Sequence, residues 1–231
     1  MDIFDILGPI MVGPSSSHTA GAARIGQMAR ALLGSQPVKA RIHLHGSFAE
    51  TGAGHGTDRA LVGGLLGMKP DDLRIPFAFD EAEKVGLDYE IDTVELRDAH
   101  PNTALLEVWD GSGKQLQMQA ASLGGGRIVV TQLDGIAVNF TGSYNTLLIR
   151  NQDEYGAVAA VTGQLSRMRI NVANMSLCRH KRGGDALMVI ETDQHLRPLQ
   201  VDTLRRISGI LSVTYYDKEE EENASFDTVD R

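Results

Sequence analysis

Between Ile25 and His45 the apolar residues change period. Ile25, Met28, Ala29 and Leu32 fall at i, i+3, i+4 and i+7, the spacing of one helix face. Gly34 and Pro37 stop that helix. Val38, Ala40, Ile42 and Leu44 then alternate with Lys39, Arg41, His43 and His45, which reads as a strand over 38–47. A helix handing over to a strand within so few residues points to an α/β (α+β) chain. With 42% hydrophobic residues among 231, it can bury the core of one large domain or two small ones.

Immediately before the helix stands Gly13-Pro14-Ser15-Ser16-Ser17-His18-Thr19-Ala20-Gly21. The hydroxyls are therefore expected at a helix N-terminus, where free N–H groups and the helix dipole favour a carboxylate or phosphate. Capping the helix accounts for one serine. It leaves the other two, His18 and Thr19, for ligand binding. A second glycine-rich stretch, Phe48 to Asp58, reads as a loop entering another helix, with Thr57 as N-cap and Leu61, Gly64, Leu65 and Met68 as its stripe. It matches neither a Walker A loop nor a Gly-x-Gly-x-x-Gly fingerprint. His55 and Asp58, three apart, can share one pocket. His43-x-His45 has zinc-ligand spacing but no cysteine nearby, so His43 reads as an exposed strand histidine; His45 ends the strand beside Gly46-Ser47.

These motifs resemble one family. Gly13 to Gly21, His45-Gly46-Ser47, Gly54-His55-Gly56-Thr57-Asp58, His100-Pro101-Asn102-Thr103 and Ser122-Leu123-Gly124-Gly125-Gly126 follow, in order and spacing over residues 8–126, the pattern of the β chain of iron–sulfur-dependent L-serine dehydratases. The resemblance implies a lyase that converts L-serine to pyruvate and ammonia, a step of amino-acid metabolism feeding gluconeogenesis. It also implies a Cys-bearing α chain as partner, which holds a [4Fe–4S] cluster. On this resemblance Asn102 is a ligand contact rather than a turn residue. The same fold serves some phosphoglycerate dehydrogenases as a substrate-binding regulatory domain. A non-catalytic serine-sensing allosteric module is therefore the alternative reading.

Ala104–Asp110 and Gln115–Ala121 read as strands joined through Gly111-Ser112-Gly113, with further strands at 127–133 and 136–140, a short helix near 80–86, and Trp109 in the core. A composition change near Thr141-Gly142-Ser143 separates a domain over 1–142 from one over 146–218. The second shows a strand at 147–150, a helix with Val158, Val161, Leu165 and Met168 on one face, strands at 171–180 and 186–191, a helix marked by Val201, Leu204 and Ile207, and a strand at 211–216. That order is βαββαβ, the ferredoxin-like arrangement. Its loop Asn151 to Gly156 resembles that of an ACT domain, which implies pairing with a second copy and an effector site at Asn151, Asp153 and Gly156. Residues 219–231, opened by Glu219 to Glu222, read as an acidic, disordered tail.

A net charge of −8 argues against a nucleic-acid partner. No apolar run reaches the ~18 residues of a membrane span, and Met1 to Asp5 lacks the form of a signal peptide. With the single cysteine, this points to the cytoplasm. One cysteine, expected to pack inertly at Cys178, cannot supply the three or four thiolates of a cluster, so no metal is expected in this chain. The six lysines all read as surface residues, which leaves no pyridoxal anchor. Dehydrating L-serine needs a grip on the carboxylate and ammonium and a route for protons. Ser15, Ser16, Ser17 and Thr19 suit the carboxylate, with His45 and Asn102 as further contacts. His18 and His55 suit proton transfer near neutral pH. Asp58 suits the ammonium or the orientation of a histidine. A Ser–His hydrolase is disfavoured because Ser17 and His18 are sequence neighbours and no Gly-x-Ser-x-Gly elbow exists.

Overall fold

The computed structural model describes residues 11–13, 15–179 and 181–218. The expected acidic tail, Met1 to Asp5 and Pro14 lie outside them. The described chain forms two compact units that divide between Gly135 and Ile136.

In the first unit β1 (Pro37–Leu44) is the central strand. It pairs in parallel with β2 (Asp88–Thr93) on one side and antiparallel with β3 (Thr103–Asp110) on the other. β3, β4 (Gln115–Gly124) and β5 (Arg127–Leu133) continue antiparallel, giving the order β2-β1-β3-β4-β5. A parallel pair needs a long crossover. Here it consists of α2 (Ser47–His55), α3 (Thr57–Leu65), a 3₁₀ turn at Ile75–Phe77 and α4 (Ala78–Val85). α1 (Gly21–Leu33) packs against α3 and against β3 and β4. Ile25, Met28, Leu33, Leu61, Leu65, Ile42, Leu106 and Met118 are among the largest fully buried side chains there.

α1 and α3 meet backbone to backbone. A Cβ on Gly64 would stand 2.1 Å from the Ala23 carbonyl oxygen, and one on Gly26 would stand 2.3 Å from that of Leu61. No side chain fits at either crossing point. Three features differ from the sequence expectation. β2 was not foreseen. A register shift between Pro37 and Lys39 turns Val38 outward, 43% exposed, and buries Pro37 instead. Trp109 is half-buried rather than in the core, with Lys39 Nζ and Arg41 Cζ 5.9 and 5.8 Å from its ring centroid.

The second unit opens with β6 (Ile136–Phe140), which lies near β8 and β9. Then come β7 (Asn145–Gln152), α5 (Ala157–Arg167), β8 (Val172–Arg179), β9 (Asp185–Thr192), α6 (Pro198–Arg205) and β10 (Ile210–Tyr216). All pairings of β7 to β10 are antiparallel, in the order β10-β7-β9-β8. With the chain order βαββαβ, this is the expected ferredoxin-like sheet. Its core joins Leu147, Ile149, Met188 and Ile190 to Val161, Leu165 and Leu204. Val158, expected on the buried face of α5, is 38% exposed. Cys178, expected to be buried, is only partly so.

The glycine crossing gives a test. Gly64→Ala should destabilise the chain by about 1–3 kcal/mol through overpacking. Gly163→Ala, on α5 with nothing within 4 Å of its added Cβ, should be neutral or stabilising. Urea unfolding of the two variants checks this; equal midpoints would mean that the α1–α3 crossing tolerates a methyl group.

Candidate functional site

The site begins at an irregularity. Ser16–Ala20 form a π-helical turn that runs straight into α1, with the Gly21 N–H donating to the Ser16 carbonyl. The turn holds one more residue than an α-turn would. Ser15 precedes it in extended conformation, and its Oγ accepts the His18 backbone N–H at 3.2 Å. The wider turn sets Ser17 Oγ 3.1 Å and Ser15 Oγ 3.4 Å from His18 Nδ1. Sequence neighbours thus do face each other here, against the expectation drawn from an ordinary backbone. One capping serine and further hydroxyls with other work were both expected.

α2 supplies the opposite wall, and it corrects the reading of Phe48 to His55 as a loop. This stretch is helical despite its glycines. Gly46 (φ 56°) turns the chain from β1 into α2, and a Cβ there would stand 2.7 Å from the Pro101 carbonyl oxygen. Ser47, not singled out from sequence, starts α2 and places its Oγ 3.0 Å from His18 Nε2. The imidazole is therefore held by hydroxyls at both nitrogens. Its ring meets Phe48 edge-on at 5.3 Å and lies 5.2 Å from the ring of His55, the last residue of α2. The His55 carbonyl accepts the Thr19 hydroxyl at 3.1 Å. Burial, and secondly the charge on His55, push the His18 pKa below its ordinary 6.5; hydrogen bonding by the Ser47 backbone opposes this in part.

The remaining motif segments brace this group. Gly125 N–H donates to Ser16 Oγ at 3.4 Å and Gly126 N–H to the Ser16 carbonyl at 3.3 Å. Ser122 N–H donates to the Asn102 carbonyl at 2.9 Å, and His45 N–H donates to the Thr103 carbonyl at 3.0 Å. Asn102 thus ties two motifs together through its backbone. Two expected site residues stand apart. His45 Nδ1 accepts the Leu96 N–H at 3.2 Å, and the residue lines a cavity of about 580 Å³ with Glu50, Glu95 and Arg97. Asp58 Oδ1 accepts the Arg59 N–H at 2.7 Å, and no hydrogen bond links it to either histidine. Thr57 is not a cap: Gly56 holds that position, and the fully buried Thr57 Oγ1 has no partner. His55 and Thr19 line another cavity, of about 250 Å³, with Gly13, Gly56 and Arg59.

Residues 2–93 match the family model of the serine dehydratase β chain. The chain is 43% identical over 212 residues to the probable L-serine dehydratase β chain of Bacillus subtilis, covering 92% of this chain and 96% of that one. It is 39% identical over 194 residues to the L-serine dehydratase β chain of Peptoniphilus asaccharolyticus, covering 84% and 87%. The chain belongs to the L-serine dehydratase β-chain family. An L-serine dehydratase of Streptomyces coelicolor matches 71% of this chain at 30% identity, yet only 41% of its own length is involved. Most of that longer protein lies outside the matched stretch.

The sequence has one cysteine, and Cys178 lies in the second unit. No group of three His, Cys, Asp or Glu among the described residues has metal-binding geometry. The donor set of this chain does not fit a [4Fe–4S] cluster. In the second unit, Asn151 is buried, its Nδ2 donates to the Gln152 carbonyl, and its Oδ1 has no partner. Asp153 is already engaged by the Gly183 N–H and by Arg179, which together hold its carboxyl below the usual range. Gly156, with φ 88°, opens α5. No helix among the described residues is long and apolar enough to cross a membrane.

His18 offers a direct test of the geometry. Its folded pKa lies below the unfolded value of about 6.5, so the neutral ring favours the fold. That contribution is complete above this pH and is lost as the pH falls. In an NMR titration of the chain, His55→Ala should raise the His18 pKa. An unchanged or lower value would contradict the contact between the two rings.

Proposed function

We propose that this chain is the β subunit of a two-chain, iron–sulfur-dependent L-serine dehydratase of the cytoplasm. The enzyme deaminates L-serine to pyruvate and ammonia, and its [4Fe–4S] cluster is carried by a Cys-bearing α chain. Residues 1–142 form the β-chain domain, and 146–218 form an ACT domain through which two copies associate. The observation that carries the reading is the gathering of Ser15, Ser17, Ser47 and His55 around His18 in a chain whose donors do not fit a cluster.

The reaction removes the Cα proton and the β-hydroxyl of serine. The resulting aminoacrylate becomes an imine, which water hydrolyses. The residues of this chain serve binding and proton handling. His55 ends α2 at the wall of a cavity, exposed, where it can exchange a proton with substrate. His18 lies behind it, held at both nitrogens by hydroxyls that can pass or receive a proton. Ser15, Ser16, Ser17 and Thr19 shape the pocket. Asn102 and His45 brace the segments beside it, and Asp58 adds negative charge for the ammonium group. Asn151, with a free buried acceptor, supports a small amino acid as effector at the loop ending at Gly156. Asp153 shapes that loop through Arg179.

Assembly tests the proposal. Prepared without oxygen, the chain alone should be colourless, hold no iron and make no pyruvate. Mixed with the α chain it should turn L-serine into pyruvate. His55→Ala should lower kcat about 10²- to 10⁴-fold with the fold intact, and the Ser16→Ala/Ser17→Ala pair should raise the serine requirement. Iron–sulfur absorbance or turnover by the chain alone would refute the split arrangement. Binding of serine without turnover in any assembly would make the chain a sensor instead.

A further inference from the structure

The hydroxyls expected to receive a carboxylate already have partners. Ser15 and Ser17 face His18, and Thr19 donates to the His55 carbonyl; Ser16 accepts the Gly125 N–H, which leaves it a single O–H to donate. The cavity of about 250 Å³ beside His55 offers a different group. Among the described residues that line it, Arg59 is the one with a fixed positive charge, and none is Asp or Glu. The Arg59 guanidinium makes no side-chain hydrogen bond or ion pair with any described residue. It lies 5.1 Å from the centroid of Phe79, which stacks on Tyr89 at 5.4 Å. A guanidinium held over an aromatic face by its charge makes no hydrogen bond to the ring, so its N–H donors stay free for the bidentate grip on a carboxylate. A half-buried, aromatic-backed arginine at a cavity wall, unpaired among the described residues, is thus pre-positioned for an anion.

We infer that Arg59 is the carboxylate-binding residue of this site, taking the α-carboxylate of a small amino acid beside His55. The inference rests on the dehydratase reading above and names the group that grips the substrate. The hydroxyl segment then serves the histidines rather than the carboxylate.

The test uses the assembled two-chain enzyme and two substrates, L-serine and L-serinamide, which lacks the carboxylate. Arg59→Gln should raise KM for L-serine about 10- to 100-fold with much less change in kcat. It should also cut the wild-type preference for L-serine over L-serinamide in kcat/KM about tenfold or more. Arg59→Lys, which keeps the charge but not the planar fork, should fall between the two and supplies the same readout should the glutamine variant assemble poorly. A merely structural arginine would move both substrates alike. An unchanged KM and preference in either variant, with the wild type active, overturns the assignment and leaves the dehydratase reading standing. A wild-type complex that makes no pyruvate overturns both.

Discussion

The crossing of α1 over α3 is the contact on which the candidate site depends. Gly26 and Gly64 let the two helix backbones approach until a carbonyl on each stands where a side chain would be. The N-terminus of α1 continues backward as the turn that bears Ser16 to Ala20. Only Gly56 separates His55 from the N-terminus of α3. Fixing one helix against the other therefore fixes the hydroxyl segment against the histidine. The bond from Thr19 to the His55 carbonyl closes the same gap from above. Interiors are too well packed to absorb a shift of either helix cheaply.

Much of the fold could be read from period alone. α1, β5, β6 and the βαββαβ succession of the second unit are long or strictly alternating, and tertiary context has little to override there. The failures have particular causes. β2 carries Asp88, Glu90 and Asp92 with only Tyr89 and Ile91 as strand-forming hydrophobic residues, because it is an edge strand whose charges pair with Arg41 and His43. α2 was hidden by Gly52, Gly54 and Gly56. Yet Gly52 is small so that the helix can lie against Leu44, and Gly56 ends it. Trp109 was assigned to the core by size, whereas two cations on β1 hold it at the sheet surface.

The site itself was legible in composition but not in geometry. His18, His55 and the serines stand out as residue types crowded between glycines. Which atoms meet could not be read, because neighbouring residues face each other only on a backbone that departs from 3.6 residues per turn. Ser47 and Arg59 gave no signal by themselves. Ser47 matters because β1 delivers it to the far nitrogen of His18. Arg59 matters because Phe79 and Tyr89, from two other elements, form the platform beneath it. His45 and Asp58 show the reverse: conspicuous motif residues whose side chains accept backbone N–H groups of Leu96 and Arg59 instead of joining the central cluster.

The π-helical turn makes this segment unusually sensitive to chain length. In a helix each residue advances the direction of the side chains by about 100°. The extra residue between Ser16 and Ala20 sets the phase between Ser15 and the apolar stripe of α1. Losing one residue there would leave the stripe on the sheet and swing everything before it by roughly a third of a turn. His18 would leave Ser47 and Phe48 with no side chain of the site altered. The site is thus written in the count of residues between two fixed points as much as in their identity.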